Sequence, residues 1–383
     1  MKHVLLLTRE MIPSAVLCGD VPLRELAGQG KIEYRSAAPG ELSEADLSWA
    51  DALVFLRSDS RWEASLAELA SASGRDTIYV LDDDLLSVPR ELSSGEFYGR
   101  ESTRRNIRNT MKRCRCFLTP SEELLKKYGG DFESAALIEE PALLPEERPA
   151  KSAGGVVIGF AGSIDRAGDV DLLLRDVLEE ILDEYGGAVR LEFFGARPSL
   201  ADRPEVRHIP YTADYGKYRR TMAALGWDIG LAPMPDTPFH RCKHYNKYIE
   251  YAAYGIPGIY SDVIPYRRAV RSGENGLLTA NTRQAWAWAL RELIENEPLR
   301  RRLASAALEE ARTVYSPAET AALWEAALFR EGSVGPKQPP AGFAARKRRE
   351  LLLETAEKVR LYGWRAPEKA LRRLLRGRKG RGN

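Results

Sequence analysis

Short apolar runs alternate with segments of helical spacing along most of the chain. Apolar runs of four or five residues occupy positions 4–7, 52–56, 77–81 and 116–119. Each run predicts a buried strand, whereas apolar residues at helical spacing predict helices over 62–73 and 122–128. Buried strands that alternate with helices are typical of a parallel sheet covered on both faces. The first part of the chain therefore predicts an α/β domain.

The pattern is interrupted once and then restarts. Residues 139–155 lack periodicity and contain three prolines and two glycines, which predicts a linker. After it, strands are predicted over 156–161, 189–194, 206–209, 228–232 and 258–261, and helices over 170–185, 215–225, 243–254, 282–296, 298–315 and 317–329. Two tandem Rossmann-like domains, 1–145 and 155–330, account for this pattern. Ligands of such sheets bind at the carboxyl ends of the strands.

The C-terminal tail, 343–383, is strongly basic. From Arg346 to Asn383 there are 14 Lys/Arg and 4 Asp/Glu, a net charge of +10, so the rest of the +2 chain carries −8. Basic helices are predicted over 344–361 and 367–375. We consider three hypotheses: an amphipathic helix on an anionic membrane, a solvated and partly disordered tail, and a helix packed on the acidic body. Because only Tyr362 and Trp364 interrupt the basic residues as aromatic platforms, nucleic acid is not an expected partner.

The composition of the chain indicates where in the cell the protein is expected. The chain has 383 residues, of which 44% are hydrophobic, enough for two cores. Four cysteines without a disulfide spacing indicate a reducing compartment. The apolar run near the N-terminus has four residues, too few for a signal peptide or a membrane span. We expect a cytoplasmic protein, peripheral at most on the inner face of the membrane.

The densest group of candidate functional residues lies between Phe239 and Pro257. Lys243 and Lys247 are four residues apart and Glu250 follows three later, so a helix over 243–254 would place all three on one face. Two lysines near a helix N-terminus suit a pyrophosphate, and a carboxylate one turn on could accept hydrogen bonds from hydroxyl groups. The alternative is an exposed helix face with charge pairs.

The same region resembles a known family. Residues 228–278 combine a strand, a Lys-containing helix with Glu250 before Ala-Ala-Tyr-Gly-Ile-Pro, and a Gly-Glu-Asn-Gly-Leu turn. This order is similar to the donor-binding half of bacterial group 1 glycosyltransferases related to family 4. Weaker similarity includes the glycine turn at 158–163, the Phe-Leu-Arg at 55–57, the aspartates at 82–84 and the Leu-Thr-Pro-Ser at 118–121, and it extends over most of residues 50–330.

The resemblance implies a GT-B fold, in which two Rossmann-like domains with parallel sheets face a cleft. It implies retaining, metal-independent transfer of a sugar from a nucleotide sugar to a glycan or lipid-linked acceptor of a bacterial surface glycan, with no cofactor. Lys247 and Glu250 would be the catalytic residues. The implied donor-binding residues are Gly162, Ser163, Arg166, Lys243, Lys247, Glu250, Ser261 and Tyr266. The implied acceptor-side residues are Arg57, Asp82 and Asp83.

The sequence departs from the family pattern at three positions. Cys242 stands where many members carry Glu, and Ser163 and Gly168 stand where many carry Arg and Lys. An alternative function is therefore a non-catalytic scaffold of the same fold that binds sugar nucleotides or glycans.

Two groups of residues suggest metal binding. The Asp82–Asp83–Asp84 run could hold Mn²⁺ or Mg²⁺, as in the other glycosyltransferase class, but that class has one sheet domain. A helix-capping or acceptor-facing role is favoured. His240, Cys242 and His244 alternate like zinc ligands but lack a fourth ligand nearby, so we expect the histidines to line the cleft or face solvent. No metal site is predicted.

Overall fold

The computed structural model of the protein describes residues 1–146, 154–330 and 337–362. The N-terminal half of the chain forms a first parallel sheet. Its strands run in the order β2-β1-β3-β4-β5-β6, all parallel. Their bounds are β1 (Lys2–Leu7), β2 (Ile32–Ala37), β3 (Ala52–Leu56), β4 (Asp76–Val80), β5 (Cys116–Thr119) and β6 (Ser134–Leu137).

The second parallel sheet has the order β12-β11-β10-β7-β8-β9. Its strands are β7 (Val156–Gly162), β8 (Val189–Gly195), β9 (Val206–Pro210), β10 (Ile229–Ala232), β11 (Gly258–Ser261) and β12 (Leu277–Thr279). Both sheets thus have the doubly wound arrangement that the alternating pattern predicts.

Helices cover the faces of both sheets. In the first half they are α1 (Pro13–Ala15), α2 (Val21–Gly28), α3 (Glu44–Trp49), α4 (Arg61–Ala72), α5 (Gly95–Gly99), α6 (Glu101–Met111) and α7 (Glu122–Tyr128). In the second half they are α8 (Ala167–Tyr185), α9 (Tyr215–Leu225), α10 (Pro238–Arg241), α11 (Asn246–Tyr254), α12 (Ile264–Arg267), α13 (Arg283–Glu295) and α14 (Glu297–Thr313). The described chain ends with α15 (Pro317–Leu328) and α16 (Phe343–Tyr362).

The central strands and the edge strand β9 confirm the predictions, whereas the other three edge strands, β2, β6 and β12, were missed. Every residue of β3 and β4 is buried, because helices cover both faces of the sheet. In β2 and β6 most residues are at least partly exposed, so their sequences lack a continuous apolar run. Short β12 was missed too.

The predicted start of the helix over 243–254 is wrong. Thr237 caps α10, and the backbone N–H of Lys243 still bonds to the carbonyl of His240. The chain then turns at Tyr245, and α11 begins only at Asn246. Lys243 therefore lies in the loop between two helices and does not share a helix face with Lys247.

The C-terminal helices pack on the first half of the molecule. Trp324 of α15 is buried in a cluster with residues of β1 and α2. On α16, the Phe343 ring packs edge-on against Trp62 of α4 at 5.4 Å, and Glu350 pairs with Arg61 at 3.1 Å. The predicted helix over 344–361 is thus confirmed, and its body-facing side is packed. The second predicted tail helix, 367–375, lies outside the described residues.

A search of the described residues finds no helix with the length and apolarity needed to cross a membrane.

Candidate functional site

A cavity of about 480 Å³ lies between the carboxyl ends of the two sheets. The second half of the chain lines one side through the ends of β7, β8 and β10 and through α11. The first half lines the other side through residues that follow β3 and β4. Ligands of doubly wound sheets bind at this edge, so the cavity is the candidate site.

Two glycines form the floor on the second-half side. Gly195 has a φ of +86°, and a Cβ placed on it would lie 2.2 Å from the carbonyl oxygen of Gly162. A Cβ on Gly162 would lie 2.9 Å from the Phe160 ring. Neither position accepts a side chain without rearrangement, and both glycines line the cavity, so the ends of β7 and β8 present backbone to it. Gly162 therefore lies where the sequence places it.

Ser163 and Arg166 also line this wall. The Arg166 guanidinium is held by the carbonyl oxygen of Pro233 at 2.7 Å and by the carboxylate of Asp169 at 3.0 Å. Arg166 therefore lies at the cavity wall beside the glycine turn as one member of an ion pair.

Lys247 and Glu250 are brought together on α11 and line the cavity. Lys247 Nζ lies 2.5 Å from Glu250 Oε2 and 3.3 Å from Tyr218 Oη. Their side chains are 20% and 18% exposed, so the pair is accessible from the cavity but largely removed from bulk water. The pair offers one cation and one hydrogen-bond acceptor to a ligand.

Lys243 lines the cavity from a different direction. Its Nζ donates to Asp83 Oδ1 at 2.8 Å and lies 4.6 Å from the centre of the Phe239 ring. The structure therefore uses Lys243 to join the two halves of the chain across the cleft. The prediction that it shares one surface with Lys247 and Glu250 is corrected accordingly.

The three predicted acceptor-side residues meet at the opposite wall. Arg57 has a φ of +51°, and its Nη1 donates to both carboxylate oxygens of Asp82 at 2.7 and 2.9 Å. The same Nη1 lies 3.5 Å from Asp83. Burial alone would raise the pKa of Asp83, but Lys243 and Arg57 hold that pKa well below its ordinary value. Asp83 is therefore an ionised carboxylate.

Tyr266 and Ser261 have different positions. Tyr266 is buried and lines the cavity. Ser261 is fully buried and is not among the lining residues: its hydroxyl accepts from the backbone N–H of Met234 at 2.8 Å and donates to Asn281 at 2.6 Å. Ser261 therefore supports the loop after β10 and is not brought into the cavity.

A buried charge cluster at the crossover between the halves was missed. His244 Nε2 lies 2.7 Å from Glu139 and its Nδ1 lies 3.6 Å from Glu140, while the Cys18 thiol donates to Glu140 at 3.4 Å. Burial alone lowers the pKa of His244, but the two carboxylates raise it to about 10. Residues 139 and 140 were interpreted as linker because the acids and prolines around them carry no periodicity.

An aromatic wall was also missed. Tyr211, Tyr215, Tyr218 and Phe194 line the cavity, and the Phe194 and Tyr218 rings stack at 4.8 Å. Tyr211 is 53% exposed, so its ring is available to a flat ligand. The spacing of two tyrosines three residues apart at the start of α9 was the available signal.

The aspartate run shows no arrangement for metal binding. Asp82 and Asp83 pair with Arg57 and Lys243, and Asp84 pairs with Lys127 at 2.6 Å and accepts from Tyr128 at 2.7 Å. Among residues 1–146, 154–330 and 337–362, no group of three His, Cys, Asp or Glu could hold a metal ion.

His240, Cys242 and His244, which alternate like zinc ligands in the sequence, contact different partners in the structure. His240 contacts Thr237, His244 contacts Glu139, and Cys242 packs with apolar residues of the first half. His244, although buried, lines the cavity, and His240 lines a smaller space beside it, so the expectation that the histidines line the cleft is confirmed.

Comparisons with known proteins agree with this architecture. Residues 155–296 match the sequence model described as glycosyl transferases group 1. A comparison with curated protein sequences gives no match.

Solved structures share the two-domain arrangement. HepE of Anabaena, crystallised with UDP and glucose, superposes with a TM-score of 0.60 at 13% identity, over 86% of this chain and 100% of that one. Sucrose-phosphate synthase of Thermosynechococcus elongatus gives 0.61 at 14% identity, over 86% and 98%. A glycosyltransferase of Rickettsia africae gives 0.55 at 11% identity, over 86% and 99%.

The fold is therefore the GT-B fold of glycosyltransferases. The resemblance to group 1 glycosyltransferases, first seen in the motifs of residues 228–278, is confirmed by the match over residues 155–296.

Proposed function

We propose that this protein is a glycosyltransferase that moves a sugar from a nucleotide sugar to a glycan or lipid-linked acceptor, with retention and without a metal ion. The observation that carries this proposal is the Lys247–Glu250 pair at the strand-end cavity, within the segment that matches the family. HepE, which shares the fold, was crystallised with UDP and with UDP-glucose, so these are the first ligands to test.

The charge of the cavity supports a diphosphate. Five Lys or Arg side chains line it, together with His244, whose pKa of about 10 keeps it charged at neutral pH. Four carboxylates also line it, and Asp169 and Glu139, which lie just outside the lining, pair with Arg166 and His244. The cations are Arg57, Arg166, Arg219, Lys243 and Lys247, and the carboxylates are Asp82, Asp83, Glu140 and Glu250.

Lys247 and Arg166 are the proposed contacts of the diphosphate. Transfer breaks the bond between the anomeric carbon and the diphosphate oxygen, and the leaving group gains negative charge. Preorganised cations stabilise that charge as it develops, which lowers the barrier. The acceptor hydroxyl oxygen bonds to the anomeric carbon, and its proton passes to the departing diphosphate.

Glu250 and the aromatic wall would orient the rest of the donor. Glu250 can accept hydrogen bonds from ribose or sugar hydroxyls, because it lines the cavity beside Lys247 and a carboxylate has several acceptor positions. Tyr211 offers a ring face on which a nucleotide base can stack. The glycine backbone that lines the cavity at Gly162 and Gly195 allows the phosphates to approach closely.

The proposal is tested with a panel of UDP-, GDP- and dTDP-sugars and detection of released nucleotide. Release from one donor, stimulated by an added acceptor, is the expected result. The alternative is the non-catalytic scaffold, favoured by Cys242, whose side chain packs into the first-half core instead of facing the cavity. Nucleotide-sugar binding without turnover under all acceptor conditions would support the scaffold.

We also propose that the outward face of α16 contacts an anionic membrane. The face opposite Phe343 and Glu350 presents Leu352, which is 57% exposed, with exposed Arg348 and Arg349. Nearby Lys or Arg residues each add about 1 kcal/mol of attraction to an anionic surface at low salt. The test is co-sedimentation of the full chain with phosphatidylserine vesicles at low and high salt. Sedimentation should fall with salt and with the double change Arg348→Glu and Arg349→Glu.

A further inference from the structure

One end of the large cavity is formed by α9 and by the crossover between the halves, residues 139–144. Tyr215 and Arg219 line this end from α9, and Glu140 and Leu143 line it from the crossover. Arg219 joins the two elements, because its Nη2 donates to the carbonyl oxygen of Leu143 at 3.3 Å. A ligand at this end would therefore contact the second half and the crossover together.

Arg219 has hydrogen-bonding capacity that the protein does not use. Its Nε is buried without a hydrogen-bond partner in the described part of the chain. In that part no carboxylate pairs with its guanidinium, whereas Arg166 pairs with Asp169. The bonds of its Nη2 to backbone carbonyls are long at 3.3 Å, so the guanidinium can turn toward a better acceptor. Because buried polar groups are nearly always hydrogen-bonded, this unused donor at a cavity wall indicates a ligand that accepts a hydrogen bond.

Glu140 is the corresponding acceptor. It is 4% exposed and lines the same cavity. Its Oε1 accepts from the Cys18 thiol at 3.4 Å, but its Oε2 has no hydrogen-bond partner among residues 1–146, 154–330 and 337–362. His244 Nδ1 approaches this oxygen only to 3.6 Å, which is beyond hydrogen-bond distance. This end of the cavity thus holds one donor and one acceptor with unused capacity.

The α9 residues continue from the proposed ribose contact. Tyr218 Oη lies 3.3 Å from Lys247 Nζ, which pairs with Glu250. The Tyr218 ring lies 6.0 Å from the Tyr215 ring, centre to centre. Tyr215 and Arg219 are four residues apart on α9, so they share one helix face. Along the cavity, Arg219 therefore follows Glu250 by way of the two tyrosines.

Electrostatics place Glu140 in the same neighbourhood. Burial raises the pKa of the Tyr215 phenol, and the carboxylates of Glu250 and Glu140 raise it further. Arg219 lowers the same pKa. Because these three charged groups act on one phenol, they lie around a single subsite, next to the position proposed for the ribose.

A donor beside an acceptor matches one class of nucleotide base. Uracil, thymine, guanine and hypoxanthine have a ring carbonyl next to a ring N–H, so they can accept from Arg219 and donate to Glu140. Cytosine and adenine have the reverse arrangement, an amino group next to a ring nitrogen without a proton. They would place donor against donor and acceptor against acceptor.

We propose that Arg219 and Glu140 select the base of the donor nucleotide, and that they favour bases with a carbonyl beside a ring N–H over adenine and cytosine. This inference rests on the proposed function, because it concerns the base of the nucleotide sugar that Lys247 and Glu250 would hold. Sites that hydrogen-bond a polar group reject analogues that cannot form the bond, because buried protein groups are then left unpaired.

The test compares nucleotides that differ only at this edge of the base. UDP and CDP form one pair, and IDP and ADP form the same pair among purines. Their dissociation constants are measured by isothermal titration calorimetry on the full chain. In at least one pair, the nucleotide with the carbonyl should bind at least about tenfold more tightly, a difference of about 1.4 kcal/mol.

Two substitutions should remove the preference. Arg219→Ala should bring the two affinities of the pair toward equality, by weakening the nucleotide with the carbonyl more than its partner. Glu140→Gln should have the same effect, because its amide N–H₂ can meet the unprotonated ring nitrogen of cytosine or adenine. Arg220→Ala is the matched control: this exposed neighbour lies outside the cavity lining, so the ratio should stay at the wild-type value. If Arg219→Ala does not fold, Arg219→Met keeps the apolar stem without the donors.

Equal loss of affinity for both nucleotides of a pair in Arg219→Ala, with an unchanged ratio, would overturn the inference, because Arg219 would then only attract the diphosphate. Equal or tighter binding of CDP and ADP by the wild type would overturn it too. The proposed function is separable from this result, since nucleotides that bind without preference contradict the base selection alone. Absence of binding by all four nucleotides would contradict both.

Discussion

The carboxyl ends of the two sheets face the same cleft but present different chemistry. On the second-half side, the ends of β7 and β8 present glycine backbone, and the cations Lys247 and Arg166 pair with Glu250 and Asp169 of the same half. On the first-half side, Arg57 contacts Asp82 and Asp83, and Asp83 pairs with Lys243 of the other half. The ion pairs of one side are local and lie beside glycine backbone, whereas those of the other side reach across the cleft.

This difference bears on the proposed donor site. A diphosphate gains from close approach to backbone N–H groups and from lysine and arginine side chains held beside them. The two sides join at His244, which belongs to the second half but pairs with Glu139 and Glu140 of the crossover. Substitutions at this junction should have the largest effect, substitutions on the donor side a smaller one, and substitutions on α16 should leave the cleft unchanged.

The largest expected effect is that of His244→Gln. The change removes the positive partner of two buried or half-buried carboxylates, and removal of one member of a buried pair typically costs about 3–5 kcal/mol. The free energy of unfolding, measured by urea denaturation, should fall by about 3 kcal/mol at pH 7. A change of less than about 0.5 kcal/mol would show that the cluster does not hold the two halves together.

The same residue predicts a pH dependence. The pKa of His244 is raised from 6.5 to about 10 in the folded protein, so its stabilising contribution is complete below pH 6.5 and is lost as pH rises to about 10. The difference in unfolding free energy between wild type and His244→Gln should therefore shrink from pH 6 to pH 10. A constant difference over this range would contradict the raised pKa.

Gly195→Ala should damage the donor side. The added Cβ meets the carbonyl oxygen of Gly162 at 2.2 Å, and a φ of +86° strains a side chain by about 1–3 kcal/mol. We expect a loss of stability of at least that size and weaker nucleotide binding, measured by calorimetry. Gly187→Ala is the control, because a Cβ there meets no atom within 4 Å. If Gly187→Ala and Gly195→Ala weakened nucleotide binding equally, Gly195 would have no specific part in the donor site.

Glu354→Ala should loosen α16 without affecting the cleft. Glu354 accepts a hydrogen bond at 2.8 Å from the backbone N–H of Trp62, in the first turn of α4. Loss of such a cap typically costs about 1 kcal/mol. The unfolding free energy should fall by that amount while nucleotide release stays at the wild-type rate. A drop in turnover at unchanged stability would indicate that α16 acts on the site.

Removal of metal ions should have no effect. The cations of the cavity are side chains, and each aspartate of the 82–84 run has a cationic partner. Nucleotide release should continue at the same rate in excess EDTA. If EDTA abolished nucleotide release and Mn²⁺ restored it, the proposed metal-independent mechanism would be wrong, and these aspartates would be the first candidates for metal ligands.

The sequence predicts the central strands well because burial on both faces requires continuous apolar runs, as in β3. It also places Lys247 and Glu250 correctly with respect to each other, because three residues on one helix fix their spacing. It does not predict β2, whose residues are mostly exposed or half-buried at a sheet edge and so form no continuous apolar run. It does not predict the start of α11, because a separate capped turn, α10, occupies the preceding residues.

Contacts between distant residues account for the rest. Lys243 and Asp83 are 160 residues apart, and Glu139 and His244 are joined only when the two halves meet. The packing of α16 on α4 likewise depends on Phe343 and Trp62, which are distant in sequence. Local periodicity carries no information on such pairs, so the ion pair across the cleft and the buried His244 cluster become visible only in three dimensions.

The most direct test of the donor site is the dissociation constant of UDP for the wild type and for Lys247→Ala, measured by isothermal titration calorimetry. Loss of one charge-assisted contact should weaken binding at least about tenfold, or about 1.4 kcal/mol, with turnover reduced by a similar factor or more. Lys217→Ala, on the same domain but outside the cavity lining, should bind as the wild type does. Equal affinity of wild type and Lys247→Ala for UDP, or no binding of UDP, GDP or dTDP by either, would contradict the donor site.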